Sequence, residues 1–484
     1  MNIVEKTWRG LQSNKPLYTV ITLGFVCILG ILAGFLSTNI LISLLISGTV
    51  VLLLLILLIF FRKGTFSLDN IIVPLLVAAV LLPPIRLTRS IPDIRVEPIL
   101  ILIALALFLT GRLATGRPFK LRWNPTNKWF FLFGICILVS IANAAFVHGY
   151  YPIDRDFWEL GKLIEYFLIF ALVASLNIPP EHMRKYYVTS LVIFMCSAAF
   201  GFAQYFNLLD INSWLIPYYA PTQIGGLVRG GRIVGTTGNP NEFGALMVLA
   251  ASLALTGALW LKGRSIKLFS WAALGVFSLA IVFTLSRSSL LCLLVAVAFI
   301  ALYKYTMHFG FKKLVRMVVS VAPVLLIIAF IVLQLAPDLF FLSMGSGINL
   351  DTDASWQARL TNWEDDIALW QQSPLLGWGP GKETISSIVD NEWLLLLRRY
   401  GLLGVVVFIL WFVSVYRTLS RIGRETRNNY TETFCTSLQA TLIAYAIFMI
   451  PAGVYHSLQL MPILLIFLGL AYTQRQSLQA VQLK

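Results

Sequence analysis

Residues Pro337–Asn391 read PDLFFLSMGSGINLDTDASWQARLTNWEDDIALWQQSPLLGWGPGKETISSIVDN, the longest hydrophilic interval in a chain that is 58% apolar. Within it Trp356, Leu360, Trp363, Ile367 and Trp370 recur at steps of four, three, four and three. That spacing predicts one apolar helix face, with Asp353 or Ser355 placed to cap its start. Arg359, Glu364, Asp365 and Asp366 fall on the opposite face. A helix of this kind lies along a membrane surface or over the mouth of a cavity. Ser373-Pro-Leu-Leu-Gly377-Trp-Gly379-Pro-Gly381 then breaks it, and Asp390-Asn391-Glu392-Trp393 opens a new apolar helix. The stretch is expected to form the lid and chemical edge of a membrane-embedded site.

Working outward, apolar runs near the ~20 residues that cross a bilayer follow one another almost without pause. The reading is an all-α polytopic membrane protein of about fourteen transmembrane helices. Residues 162–178, 391–416 and 456–473 are among these spans, as are 17–36, 41–60, 96–110 and 316–336. N-terminal transmembrane helices fill 1–186. A core over 187–430 includes the long outer loop 337–390, and 431–484 hold the last helices and a short tail. The chain opens with a polar stretch and a first apolar run long enough to span, so no cleavable signal peptide is expected. Cys27, Cys136, Cys196, Cys292 and Cys435 lie in or beside apolar runs and offer neither a disulfide framework nor zinc-ligand spacing.

The topology is tested by charge. With both termini in the cytoplasm, 25 of the 37 Lys and Arg residues fall inside with 5 acids, leaving 12 outside with 17 acids. This obeys the positive-inside rule, so the net charge of +15 is an orientation signal and requires no nucleic acid. Ten of the twelve outer basic residues are arginine, among them Arg95, Arg229, Arg232, Arg287, Arg359, Arg398 and Arg399. Planar, permanently charged guanidinium forks suit phosphate and carboxylate, so several of these are expected to meet an anionic ligand. Pairing with the outer acids is the competing reading.

Three outer helix starts carry marked polar chemistry. Asn239-Pro240-Asn241-Glu242 combines an N-cap, a first-turn proline and a capping-box acid, with Arg229 and Arg232 just upstream among glycines. Thr284-Leu-Ser286-Arg287 places an arginine in a first turn, where the helix dipole repels it unless an anion or acid is near. Asp390 is expected to cap the third start, with Glu392 two residues on. Arg398 and Arg399 follow, so at least one should point inward. His456 sits at the turn before the last helix, where a lone histidine is more often a hydrogen-bonded interfacial residue than a base. The aromatic and acidic segment 148–159 fits an interfacial belt better than sugar stacking, and Lys162 and Glu165 are expected to satisfy each other. Asp351, Asp353, Asp365 and Asp366 lack a metal-loop pattern, so no metal site is assigned. No inverted repeat and no pair of broken helices, the marks of a transporter, are evident.

These motifs in this order (Arg232 to Asn241, Ser286-Arg287, Arg359 with Trp363 and Gly377 to Gly381, Asp390 to Gly404) resemble the O-antigen ligase and polymerase superfamily over roughly residues 190–410. The resemblance implies a GT-C-like glycosyltransferase of the bacterial inner membrane. It would use an undecaprenyl-diphosphate-linked oligosaccharide at the outer, periplasmic face, without cofactor or metal. Arg232, Arg287 and Arg359 would then hold the lipid diphosphate, with Arg229, Asn241 and Arg399 beside them. Ligases of this group carry a histidine just before the Asn that opens the helix after the long loop; Asp390 stands there, which points to a repeat-unit polymerase. Asp390 is the first candidate to accept or orient the acceptor proton, with Glu392 and His456 behind it. A flippase and a chain-length regulator are the expected partners, besides membrane lipid. Transfer of finished glycan to lipid A core, protein or wall polymer, and solute transport, are the alternatives.

Overall fold

The structure is a computed structural model that describes residues 71–83, 95–101, 124–216, 231–308, 354–382 and 391–482. The spans expected at 17–36, 41–60 and 316–336, and most of that at 96–110, lie outside the described residues. The chain divides into two units. One comprises residues 1–78 and 96–121, and the other 79–95 and 122–484.

Among the described residues the secondary structure is helical throughout, with no strand. The longer helices are α1 (Ile72–Leu81), α2 (Asn127–Phe146), α3 (Asp154–Ser175), α4 (Met183–Tyr205), α5 (Pro240–Trp260), α6 (Arg264–Phe283), α7 (Arg287–His308), α8 (Ala354–Gln372), α9 (Glu392–Glu425), α10 (Asn429–Phe448) and α11 (Leu460–Gln482). Five of the described helical segments are long and apolar enough to cross a membrane: α2, α4 with its short 3₁₀ lead-in, α5, α6 and α9. The protein is an all-α membrane protein.

Helix α5 is the axis of the second unit, buried along nearly its whole length and packed by α4, α6, α7 and α10. Its residues, PNEFGALMVLAASLALTGALW, explain this. Small side chains let neighbouring backbones approach where lipid offers no hydrophobic drive to association. A Cβ at Gly244 would stand 2.3 Å from Ser289 Oγ on α7, and one at Gly257 would meet the Tyr187 hydroxyl of α4. The start of α5 is fixed as its sequence predicts. Asn239 Oδ1 accepts from Asn241 N at 2.9 Å and Glu242 N at 3.4 Å, with Pro240 in the first turn.

Two boundaries differ from expectation, with consequences for the site. Helix α3 begins at Asp154, eight residues before the expected 162, because Asp156 receives the backbone N–H of Ile153 and so closes the first turn. Segment 154–159 is therefore buried helix on one face, and only its exposed Phe157 and Trp158 suit an interfacial belt. The cap of α9 is Asn391, whose side chain accepts from Leu394 N at 3.1 Å, so the capping role expected of Asp390 belongs to its neighbour.

Helix α9 is also broken, a feature that its apolar sequence does not announce. Gly401 adopts φ 63° and ψ −171°, a conformation open in practice to glycine alone. The loop after α8 plugs the break. Trp378 N and Gly379 N donate to the carbonyls of Arg398 and Arg399 at 2.8 and 2.9 Å, while Leu402 N and Leu403 N donate to Pro374 O and Leu375 O. The glycines of the Gly377-Trp-Gly motif serve this approach: a Cβ on Gly377 would lie 2.5 Å from the Arg399 carbonyl. Ser140 of α2 completes the joint, donating to Arg399 O while accepting from Gly379 N at 2.8 Å.

Candidate active site

The starts of α5, α7 and α9 meet the turn between α10 and α11 at one end of the helices. Ser289 of α7 donates to Asn241 O at 3.3 Å; Glu392 N donates to Met449 O at 2.8 Å; Ser457 Oγ donates to Glu242 Oε2. Glu242 thus ties α5 to the turn, whereas its position suggested an acid folded back on its own helix start. Two polar assemblies flank this junction.

The first is cationic. Arg232 Nε donates to Thr284 O at 2.9 Å, and its Nη2 to Asn241 Oδ1 at 3.4 Å. Both partners are neutral, and among the described residues Arg232 forms no ion pair with a carboxylate. Burial, then the charges of Arg359 and Arg287, pull the Arg232 guanidinium below its ordinary range. Arg287 of α7 and Arg359 of α8 thus both act on the loop residue Arg232 as like charges. Ser286 Oγ takes the N–H of Ser289 at 3.3 Å, so Arg287 stands in the first turn of a capped helix, at its positive end. Such a grouping lowers its energy by receiving a multivalent anion. Arg232, Asn241, Arg287 and Arg359 are thus brought together as the sequence expects, while Arg229 lies outside the described residues.

The second assembly pairs its charges and is largely buried. Glu159 of α3 is its hub: Lys162 Nζ lies 2.7 Å from Oε2, Lys382 Nζ 2.8 Å from Oε1, Arg399 Nη1 3.5 Å from Oε1, and His456 Nε2 3.6 Å from Oε2. Arg399 Nη1 donates to His456 Nε2 at 2.7 Å, so that ring nitrogen is the acceptor. The proton then sits on Nδ1, which donates to Glu392 Oε1. Glu392 Oε2 also accepts from the backbone N–H of Val454 at 2.8 Å and of His456 at 3.3 Å. Burial holds the His456 imidazole below its ordinary value, partly offset by the Glu392 carboxylate, and a neutral ring is what acceptance from Arg399 requires. Aromatic rings pack beside it, with Lys162 Nζ 4.9 Å from the Tyr455 centroid and Phe133 edge-on to Tyr400 and Tyr455.

Glu392, His456 and Arg399 are thus brought together, but both imidazole nitrogens are engaged, so His456 presents no free base in this arrangement. Asp390 lies outside the described residues. Lys162 pairs with Glu159 rather than Glu165, which takes Arg95 at 2.9 Å; the partner one turn earlier is the one on the buried face. Asp366, placed by the sequence on the exposed face of α8, is buried and meets Arg398 Nη1 at 2.5 Å. Burial pushes its carboxyl above the usual range and Arg398 draws it back. Asp353 lies outside the described residues. Arg398 and Arg399 both point inward, each to a carboxylate of another helix.

Sequence reasoning missed Glu159, Lys382 and Asp156, whose Oδ1 accepts from Lys382 N at 3.0 Å. The signal was present. Asp156, Glu159, Leu163, Tyr166 and Phe170 repeat at three and four and are all buried, one helix face starting earlier than the apolar run suggests.

No curated protein matches the chain. Residues 272–409 match the family described as O-antigen ligase. That span holds Arg287, Arg359, Glu392, Arg398 and Arg399, while Arg232, Asn241, Glu159 and His456 reach the same junction from outside it. The match covers this stretch of the chain, which is similar to the O-antigen ligase family and supports the resemblance to the ligase and polymerase superfamily.

Proposed function

We propose that the protein is a GT-C-type polymerase that joins undecaprenyl-diphosphate-linked oligosaccharide repeat units into a surface polysaccharide, at the outer face of a bacterial inner membrane. The observation that carries the reading is the convergence of Arg232, Arg287 and Arg359, an arrangement suited to a diphosphate. In the reaction the hydroxyl at the non-reducing end of an incoming lipid-linked unit attacks the anomeric carbon of the growing chain. The new glycosidic bond forms as the bond to the lipid diphosphate breaks. Charge develops chiefly on the departing diphosphate, where preorganised guanidiniums act with most effect. Asp390, adjacent in sequence to the cap Asn391, is assigned the acceptor proton. Glu392 and His456 hold Arg399 and the α10–α11 turn in place, a supporting role consistent with their bonding. Asp390 in the place of the ligases' histidine favours polymerase over ligase. The broken α9 is the one feature in keeping with a transporter, but its freed amides and carbonyls are taken by residues 374–379 and offer no ion ligands.

The test is reaction of the purified protein with its lipid-linked repeat unit, read on a gel. A ladder of multiples from that one substrate, lost in Arg232→Ala and Asp390→Asn, is the expected result. Transfer only after a lipid or protein acceptor is added makes the enzyme a ligase, and a full ladder with Asp390→Asn removes that residue from the chemistry.

A further inference from the structure

Helix α8 delivers one of the three arginines but is held to the rest of the protein by another residue. Arg359 lies near its start, and Asp366 seven residues on. Seven residues are close to two full turns, so the two share a face and are separated by about 10 Å along the axis. The face is unusual for an amphipathic helix. Asp366, a charged residue, is buried at 7% exposure, while Ile367, on the expected apolar stripe, is 37% exposed. The ion pair thus sits on the inward side of α8, with Leu360, Trp363 and Trp370 half-buried beside it. The partner, Arg398, is only 3% exposed and is anchored in α9 immediately before Arg399 and the Gly401 break. The second half of α8 is tied again by Trp378 Nε1, which donates to Leu369 O at 2.8 Å. Its first half, carrying Arg359, extends from this fixed half towards Arg232.

We propose that the Asp366–Arg398 ion pair is a positioning element that sets the rotation of α8 on α9 and thereby holds Arg359 at the diphosphate site beside Arg232 and Arg287. The pair touches no substrate. Breaking it leaves Arg398 buried without its carboxylate and removes a buried charge-based restraint on α8's rotation, so Arg359 swings off the cluster. Because the inference rests on the diphosphate reading, its test separates the two.

Full-length protein in lipid nanodiscs is titrated with inorganic pyrophosphate by calorimetry. Arg232→Ala and Arg359→Ala are each expected to weaken binding about tenfold, as loss of one charge-assisted contact does. Asp366→Asn should weaken it several-fold and Asp366→Glu much less. The double variant Asp366→Asn/Arg359→Ala should bind no more weakly than Arg359→Ala alone, because both changes remove the same contact. A wild-type affinity for Asp366→Asn, or losses that multiply in the double variant, overturns the positioning role. Independently of any ligand, spin labels at Gln357 and Leu291 on a cysteine-free background report the distance from α8 to α7. Asp366→Asn should shift or broaden it, and an unchanged distribution overturns the inference. Pyrophosphate binding that is absent, or indifferent to Arg232→Ala, counts against the diphosphate reading while the distance measurement still decides the latch.

Discussion

The arginine cluster and the Glu159 network begin at neighbouring residues of one helix turn, since Asn241 touches Arg232 and Glu242 touches Ser457 beside His456. They use the same residue types to opposite ends. Around Glu159 and Glu392, two buried carboxylates face Lys162, Lys382 and Arg399, and a neutral imidazole fills the gap. Around Arg232, three guanidiniums meet with only a carbonyl and an amide oxygen recorded on Arg232. Burying a charge is costly unless it is paired; the Glu159 assembly pairs its charges within the protein, and on the proposed reading the arginines meet the charge of the lipid diphosphate. On that reading the paired network is scaffold and the arginine cluster is the ligand site.

The sharpest way to break this comparison is to remove the hub. Glu159→Ala leaves Lys162, Lys382 and Arg399 buried around an absent carboxylate, and losing one partner of a buried pair costs about 3–5 kcal/mol. Thermal unfolding in detergent should show a loss of that order. Arg232→Ala should leave the midpoint unchanged or raised, because it relieves repulsion, while abolishing turnover. If the two variants lose stability equally, the division between scaffold and ligand site is wrong.

A smaller effect is expected at the joint between the two assemblies. In Gly401→Ala the new Cβ would sit 2.2 Å from Leu375 O, on a backbone at φ 63°. The residue cannot relax into a helical conformation without expelling residues 374–379 from the break. Strain of this kind costs about 1–3 kcal/mol. Displacing the loop also withdraws Lys382 from Glu159. Limited proteolysis should cleave near residue 380 faster in the variant, whereas Gly275→Ala, a helical glycine with open space around it, should behave as wild type.

How far the sequence could be read follows the same division. The helix starts were legible because their signals are local: Asn239-Pro240 caps itself, and Ser286 caps α7 within three residues. The arginines were legible because a charge retained against the orientation bias stands out in composition alone. Glu159 was not. Its partners come from residue 162 of its own helix and from residues 382, 399 and 456, contacts that exist only once the helices are packed. The break at Gly401 was hidden for a related reason: apolar residues continue on both sides, and only the approach of residues 374–379 requires it. Asp366 misled because amphipathic spacing assumes that the buried face is apolar, whereas here a long-range ion pair with Arg398 outweighs the stripe.

The smallest expected effect concerns His456, where the network meets the α10–α11 turn. Burial holds its imidazole below the ordinary value of 6.5; the Glu392 carboxylate opposes this, and Lys162 adds a further lowering. A histidine whose folded pKa is depressed binds its proton more weakly than the unfolded chain does. Stability therefore falls as pH drops below about 6.5 and the loss levels off once pH passes the folded value. Protonation would also place a second N–H against Arg399 Nη1, which now donates to Nε2. His456→Gln keeps a polar group beside Glu392 but cannot titrate. Unfolding midpoints of wild type and variant, compared from pH 7.5 to 5, cancel the other titrating groups. The wild type should lose stability relative to the variant as pH falls across that range. Parallel curves would show that His456 is not held neutral by its surroundings, and the acceptance of the Arg399 N–H by Nε2 would then be wrong.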